Sequence, residues 1–146
     1  MNSHEVDVCV AGGGPAGMLL GLLLAKLGTR VLVLEQHRDF HREYRGEVLM
    51  PRFTQLFRQL NLFAFLESYH HLKLDGIELF YQDKRLVRVP FSEIAPEAPF
   101  AIWMPQPILL GALRDKARQF PSFDLWFDAS VKEIVREKGR AVGLLV

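Results

Sequence analysis

The sequence predicts an α/β fold that opens with a strand–helix–strand unit. An apolar strand over 6–11 leads into a glycine-rich turn over 12–17, and a strongly apolar helix follows over about 18–27. A second apolar strand over 29–34 then ends at Glu35. Short apolar runs joined by a helix indicate a parallel sheet that is covered on both faces.

The turn carries the pattern G-x-G-x-x-G. Its six residues are Gly12, Gly13, Gly14, Pro15, Ala16 and Gly17. In such a pattern the first glycine permits a tight turn, the second lets a pyrophosphate approach the backbone, and the third lets the helix pack close to the strand. Pro15 suits the first helical turn, where its missing N–H would have no intrahelical partner. The start of the helix therefore offers N–H groups and the positive end of its dipole to a phosphate.

Glu35 is the second half of this pattern. It lies eighteen residues after Gly17, at the end of the second strand. In dinucleotide-binding units an acid at this place accepts a hydrogen bond from a ribose hydroxyl. The glycines alone would fit a turn in an ordinary α/β protein, but strand, helix, second strand and terminal acid together predict a Rossmann-like dinucleotide-binding unit.

The composition is that of a globular protein without a nucleic-acid partner. The chain has 146 residues, 49% of them apolar, and a mean hydropathy of +0.08, so it can form one ordinary domain. Its 18 Lys and Arg residues against 17 Asp and Glu residues give a net charge of +1. That charge attracts neither nucleic acid nor an acidic membrane.

The N-terminal segment indicates neither secretion nor stable membrane insertion. It carries His4, Glu5 and Asp7, and the glycine turn interrupts the apolar stretch. The apolar helix reaches Lys26 after eight apolar or glycine residues, whereas a bilayer span needs about 20. We therefore expect a cytoplasmic location, with the single cysteine, Cys9, as a small buried hydrophobe.

Hydrophobic periodicity and turn residues predict the elements after Glu35. They are a polar loop over 36–47, helices over 51–60 and 62–69, a hairpin with strands 76–82 and 85–90, a proline-rich loop over 92–107 around a strand at 100–104, a helix over 107–119, a strand over 123–127, and a hairpin with strands 130–138 and 140–146. The strand over 123–127 is the candidate for a third parallel strand, about ninety residues after Glu35.

That long excursion distinguishes the chain from a nicotinamide-type Rossmann domain, which continues at once with another helix and strand. It favours a flavin-binding architecture with a substrate-facing layer inserted between early strands. We expect a core over 1–35 and 105–146 and an inserted β segment over 70–104.

The first strand and turn, V-x-V-A-G-G-G-P-A-G over 8–17, together with Glu35, resemble the FAD-dependent aromatic hydroxylases of the para-hydroxybenzoate hydroxylase type. The segment Y-R-G-E-V-L over 44–49 is similar to the family's loop whose arginine, here Arg45, reaches the flavin cofactor. The segment P-Q-P-I-L-L over 105–110 is similar to its glutamine, here Gln106, which touches the ribityl region. Val131 lies where the family places main-chain groups against the adenine.

Each of these matches also has a plainer interpretation. Arg45 could be a solvated loop arginine, although its planar fork suits phosphate oxygens. Gln106 could be an ordinary residue at a helix start in a proline-rich loop. The histidines at 41, 70 and 71 are interpreted as surface or loop residues, because no spacing of possible ligands resembles a metal site.

The resemblance implies that residues 1–146 are the N-terminal part of one FAD-binding domain, with a Rossmann-like FAD-binding βαβ unit and an inserted antiparallel hairpin and substrate-domain layer. It also implies an enzyme that uses FAD, NADH or NADPH, and dioxygen to hydroxylate an aromatic or other electron-rich small molecule. The cofactor carries that chemistry, so no side chain is assigned a catalytic role. The choice between NADH and NADPH, the substrate and the oligomeric state stay open.

The alternatives are a flavoenzyme of the geranylgeranyl reductase or halogenase type, and a non-catalytic nucleotide-binding fragment. The family also carries an Asp-Gly and a Gly-Asp motif further along, beyond Val146. We therefore expect a truncated chain that is not a competent enzyme alone, with the first strand unpaired along one side.

Overall fold

The computed structural model describes residues 4–41 and 47–146. Its elements, in chain order, are β1 (Val8–Ala11), α1 (Pro15–Lys26), β2 (Val31–Leu34), β3 (Val48–Leu49), α2 (Pro51–Gln59), α3 (Phe63–Glu67), β4 (Leu72–Leu74), β5 (Gly76–Tyr81), β6 (Lys84–Pro90), α4 (Phe91–Ile94), β7 (Ala101–Trp103), α5 (Gln106–Ala117), β8 (Phe123–Trp126), β9 (Glu133–Glu137) and β10 (Arg140–Leu145). The α/β class is confirmed.

The chain divides into two compact units. The first contains Met1–Glu43 and Leu109–Val146, and the second contains Tyr44–Ile108. The core and insertion bounds expected from the sequence stay a prediction.

A parallel sheet of order β1-β2-β8 forms the centre of the first unit. Val33 of β2 pairs with Val10 of β1 on one side and with Leu125 of β8 on the other. The predicted third parallel strand is therefore confirmed. In the described chain β1 is an edge strand, as the sequence indicates.

Helix α1 packs against one face of this sheet through its glycines. A Cβ added to Gly17 would overlap the carbonyl oxygen of Gly12, and one added to Gly21 would lie 2.6 Å from Cγ2 of Val33. The helix begins at Pro15, three residues before the predicted start. Although the helix is strongly apolar, Leu20 is 47% exposed, and its C-cap Leu27 is 81% exposed.

The opposite face of the sheet carries its own apolar cluster. Leu32, Leu34 and Ala129 form this cluster, and partly buried residues at 6, 131 and 144 pack against it. All four residues of β2 are buried, as a central parallel strand requires. The predicted burial of Cys9 is wrong, since its side chain is exposed on the edge strand.

An ion pair connects the starts of β1 and β2. The Asp7 carboxylate accepts hydrogen bonds from the backbone N–H of Arg30 at 2.9 Å and from its guanidinium Nη2 at 2.7 Å. These hydrogen bonds, chiefly the one from the side chain, lower the pKa of Asp7. The charge of Asp7 therefore favours the folded pairing of the two strands.

The second unit contains an antiparallel sheet of order β3-β7-β4 and the separate β5–β6 hairpin. Among its packed side chains, the guanidinium of Arg58 lies 5.0 Å from the ring centre of Phe63 and 5.5 Å from that of Phe100. The β5–β6 hairpin was expected from the sequence, whereas β3, β4 and α4 were not. These three elements have two to four residues each, too few to show a hydrophobic period.

Candidate functional site

The glycine turn leaves β1 through a conformation that favours glycine. Gly12 has φ +108°, and its N–H donates to the carbonyl oxygen of Leu34 at 2.7 Å. Gly14 is then the extended N-cap of α1, with φ −72° and ψ 179° and no side-chain cap. No side chain caps the N-terminus of the helix, so its backbone N–H groups and the positive end of its dipole are available to an anion.

Glu35 is held behind this turn as a buried carboxylate. Its side chain is 2% exposed. Oε2 accepts a hydrogen bond from the N–H of Gly13 at 2.8 Å, and Oε1 accepts one from the N–H of His37 at 2.9 Å. An added Cβ on Gly13 would lie 3.0 Å from both Cβ and Oε2 of Glu35. Gly13 therefore provides the space in which the carboxylate sits.

Backbone hydrogen bonds of Glu35 itself, directly after β2, fix where its side chain begins. The N–H of Glu35 donates to the carbonyl oxygen of Trp126 at 2.8 Å, and its carbonyl oxygen accepts from the N–H of Ala129 at 2.9 Å. The acid is consequently tied to the end of β8 as well as to the glycine turn.

A cavity of about 300 Å³ lies at this edge of the sheet. The residues that line it are Ala11, Gly12, Gly14, Leu34, Glu35, Gln36, Ala129, Ser130 and Val131. It opens at the carboxyl ends of β1 and β2, where open α/β sheets bind their ligands. Its volume is at the lower end of the range for small-molecule sites.

The donor set at this cavity fits a dinucleotide. Gly14 lines the cavity, and a Cβ added there meets open space within 4 Å. The N-terminus of α1 suits a pyrophosphate, and the buried carboxylate of Glu35 suits a ribose hydroxyl. Apolar groups of Leu34 and Val131 complete the wall.

Four of the residues selected from the sequence, Gly12, Gly14, Glu35 and Val131, thus meet at one cavity. Pro15 and Ala16 form the exposed start of α1. Gln106 is the first residue of α5 and belongs to the second unit. Arg45 lies outside the described residues, so the convergence of Arg45 and Gln106 on one cofactor stays a prediction.

His37 was missed by the sequence reasoning. Its Nδ1 lies 2.6 Å from Oε1 of Glu35, in addition to the backbone hydrogen bond already described. The available signal was its place two residues after the terminal acid, a spacing at which a carboxylate often accepts from the backbone of its own turn.

Within 4–41 and 47–146, no three His, Cys, Asp or Glu side chains are grouped so that they could hold a metal ion. None of the helices described has both the length and the apolar character that crossing a bilayer requires.

Residues 5–142 match the profile of a protein family described as the FAD binding domain. The chain belongs to this family. It is 32% identical over 141 residues to 6-methylpretetramide 4-monooxygenase of Streptomyces rimosus, an alignment that covers 97% of this chain and 34% of that protein. It is 36% identical over 76 residues to 1H-pyrrole-2-carbonyl-[peptidyl-carrier protein] chlorinase of Pseudomonas fluorescens, with 52% of this chain and 17% of that protein covered.

A solved structure shows the same fold. The crystal structure of PqsL from P. aeruginosa in complex with 2-aminobenzoylacetate superposes with a TM-score of 0.83 at 22% identity, over 97% of this chain and 38% of that chain. The chain spans about a third of the length of the Streptomyces rimosus monooxygenase and of PqsL.

Proposed function

We propose that this chain holds the adenosine and pyrophosphate groups of FAD, and that the whole protein is a FAD-dependent monooxygenase. The observation that carries the proposal is the cavity at the carboxyl ends of β1 and β2, with the N-terminus of α1 on one side and the buried Glu35 on the other. Membership of the FAD binding domain family supports the choice of FAD over another dinucleotide.

The roles of the chain's own residues follow from the site. The backbone at the start of α1, from Gly14 onward, binds the pyrophosphate, since no side chain caps this helix. The N–H groups of Gly12 and Gly13 instead hold the turn against Leu34 and Glu35. Glu35 accepts hydrogen bonds from the adenosine ribose, and main-chain groups near Val131 lie against the adenine. Arg45 and Gln106 act on the flavin half of the cofactor. FAD, when bound, supplies the redox and oxygen chemistry.

The overall reaction of the whole protein is hydroxylation of an aromatic or other small organic substrate. One atom of dioxygen enters the product and the other leaves as water, and NADH or NADPH supplies the two electrons. The name of the relative from Streptomyces rimosus supports oxygenation as the reaction. The 2-aminobenzoylacetate in the PqsL complex supports a small organic substrate.

A halogenase is the second candidate function. The 36% identity to a chlorinase supports it, although that alignment covers 52% of this chain. Both functions need the same FAD site, so they differ in product and not in the cavity described above.

The test begins with the visible absorption spectrum of the protein purified under native conditions. We expect bound flavin, and then oxygen consumption with NADH or NADPH that rises when a simple phenol or 2-aminobenzoylacetate is added. Mass spectrometry should show a product that has gained one oxygen atom. Absence of bound flavin after incubation with FAD would overturn the proposal, and a chlorinated product in chloride buffer would favour the halogenase.

A further inference from the structure

We propose that His37 is a positioning residue that holds the Glu35 carboxylate toward the adenosine ribose. The inference rests on the proposed function, because it assigns a partner to the acid of that same site. It concerns an imidazole that lies next to the cavity wall and that the glycine motif does not include.

The contact between the two side chains is short and directional. Nδ1 of His37 lies 2.6 Å from Oε1 of Glu35, and the N–H of His37 donates to the same oxygen at 2.9 Å. A carboxylate accepts hydrogen bonds, so the ring tautomer with its hydrogen on Nδ1 is the one that suits this contact. With Gly13 donating to Oε2 at 2.8 Å, both oxygens of Glu35 are held in fixed directions.

The backbone on both sides of this contact is anchored to the same loop. The carbonyl oxygen of His37 accepts from the N–H of Asp128 at 3.1 Å, and that of Glu35 accepts from the N–H of Ala129 at 2.9 Å. The imidazole and the carboxylate therefore both extend from backbone that is fixed by hydrogen bonds to residues 128 and 129.

The exposed fraction of its side chain shows that His37 is not a core residue. The side chain of His37 is 50% exposed, while that of Glu35 is 2% exposed. Loss of a half-exposed imidazole removes little apolar packing. Loss of its N–H, however, removes a hydrogen bond from one oxygen of the buried Glu35 carboxylate. Nearby, His41 pairs with Asp39 at 3.7 Å and is 86% exposed, so it offers a control in the same loop.

The test uses three variants of the protein: His37→Leu, His37→Asn and His41→Leu. Leucine places a carbon where Nδ1 lies, while asparagine keeps an N–H donor at the same distance from the backbone. The apoproteins are titrated with FAD and with an analogue whose adenosine lacks both ribose hydroxyls, and flavin fluorescence reports the Kd.

We expect His37→Leu to weaken FAD binding about 10-fold, the change that ~1.4 kcal/mol represents. His37→Asn should recover most of this loss, and His41→Leu should bind like the unsubstituted protein. With the analogue, the penalty of His37→Leu should vanish, because the group that Glu35 binds is missing. A structural role of His37 would instead weaken both ligands alike.

Equal or tighter FAD binding by His37→Leu would overturn the inference, and so would the same penalty with both ligands or no recovery in His37→Asn. In each of these cases the unsubstituted protein still binds FAD, so the proposed function stands. If the unsubstituted protein binds neither ligand, the proposed function itself is overturned, and the role of His37 with it.

Discussion

At the residue scale, two glycines of one motif serve different purposes. A Cβ on Gly17 would overlap the carbonyl oxygen of Gly12, so this glycine is required for α1 to pack on β1. A Cβ on Gly14 meets open space, and its φ of −72° and ψ of 179° suit any residue. Gly14 therefore matters for the ligand, and Gly17 matters for the fold.

We expect Gly14→Val to fold normally and to lose FAD, because its side chain takes the place of the pyrophosphate beside the cavity. Thermal unfolding and the flavin-to-protein ratio of the purified protein measure the two effects separately. Gly17→Val is the matched control, and its main effect should be a lower thermal unfolding midpoint. Unchanged flavin stoichiometry in Gly14→Val would contradict the role given to this turn.

Glu35→Ala should weaken FAD binding by about 10–100-fold, since a hydrogen bond to a charged group contributes roughly 1.5–3 kcal/mol. The substitution also leaves the N–H of Gly13 without its carboxylate partner, so stability should fall as well. Titration of the apoprotein gives the Kd. If the affinity is unchanged, Glu35 only holds the turn and does not contact the ribose.

At the element scale, the approach of α1 to the sheet depends on Gly21, which the motif does not include. Its added Cβ would lie 2.6 Å from Cγ2 of Val33 and 3.1 Å from the ring of Phe123. Gly21→Ala should cost about 1–3 kcal/mol of unfolding free energy, as overpacking of a close contact does.

Gly111→Ala provides the control for that substitution. Gly111 lies within α5 and an added Cβ there meets nothing within 4 Å, so alanine should stabilise the helix by roughly 0.5–1 kcal/mol. Urea unfolding measures both variants. The opposite order of stabilities would show that α1 can shift away from the sheet at little cost.

Asp7→Asn should lower stability near neutral pH and have no effect in acid. Hydrogen bonds from Arg30 lower the pKa of Asp7, so the stabilisation is complete above the usual carboxyl value of about 3.9 and disappears as the pH falls through the lowered value. Thermal unfolding midpoints across this range test the sign. A difference between Asp7→Asn and the unsubstituted protein that stays constant across this pH range would contradict this role of the Asp7 charge.

The elements differ in how much of them the sequence could predict. Strand β8 and the hairpins β5–β6 and β9–β10 follow from apolar runs and turn residues, and each is present. Strands β3 and β4 form only because β7 lies between them, and a pairing of two or three residues with a distant strand leaves no local pattern. The exposure of Cys9 depends on which elements cover the edge strand β1. The residues of the strand itself do not determine that cover.

At the scale of the whole molecule, the glycine turn and Glu35 were accessible to sequence reasoning because the motif fixes both the residue types and their spacing. The contact between His37 and Glu35 was not, because it depends on a side-chain direction within a loop. The links from this site to Arg45 and Gln106 rest on family resemblance and topology alone.

We expect Arg45→Leu and Gln106→Leu each to weaken FAD binding about 10-fold through the loss of a polar contact to the flavin half. Both losses should add to that of Glu35→Ala, because contacts to separate halves of the cofactor act independently. Fluorescence titration of the single and double variants checks this. If neither substitution alters the Kd, the hydroxylase-type site is wrong and only a dinucleotide-binding unit is left.

A crystal structure of the protein with FAD bound would show directly which groups of the cofactor the cavity holds. We expect the pyrophosphate at the N-terminus of α1, beside Gly14, and the adenosine ribose within hydrogen-bond distance of Glu35, inside the cavity of about 300 Å³. A cofactor bound elsewhere, or one whose ribose hydroxyls point away from Glu35, would contradict this expectation.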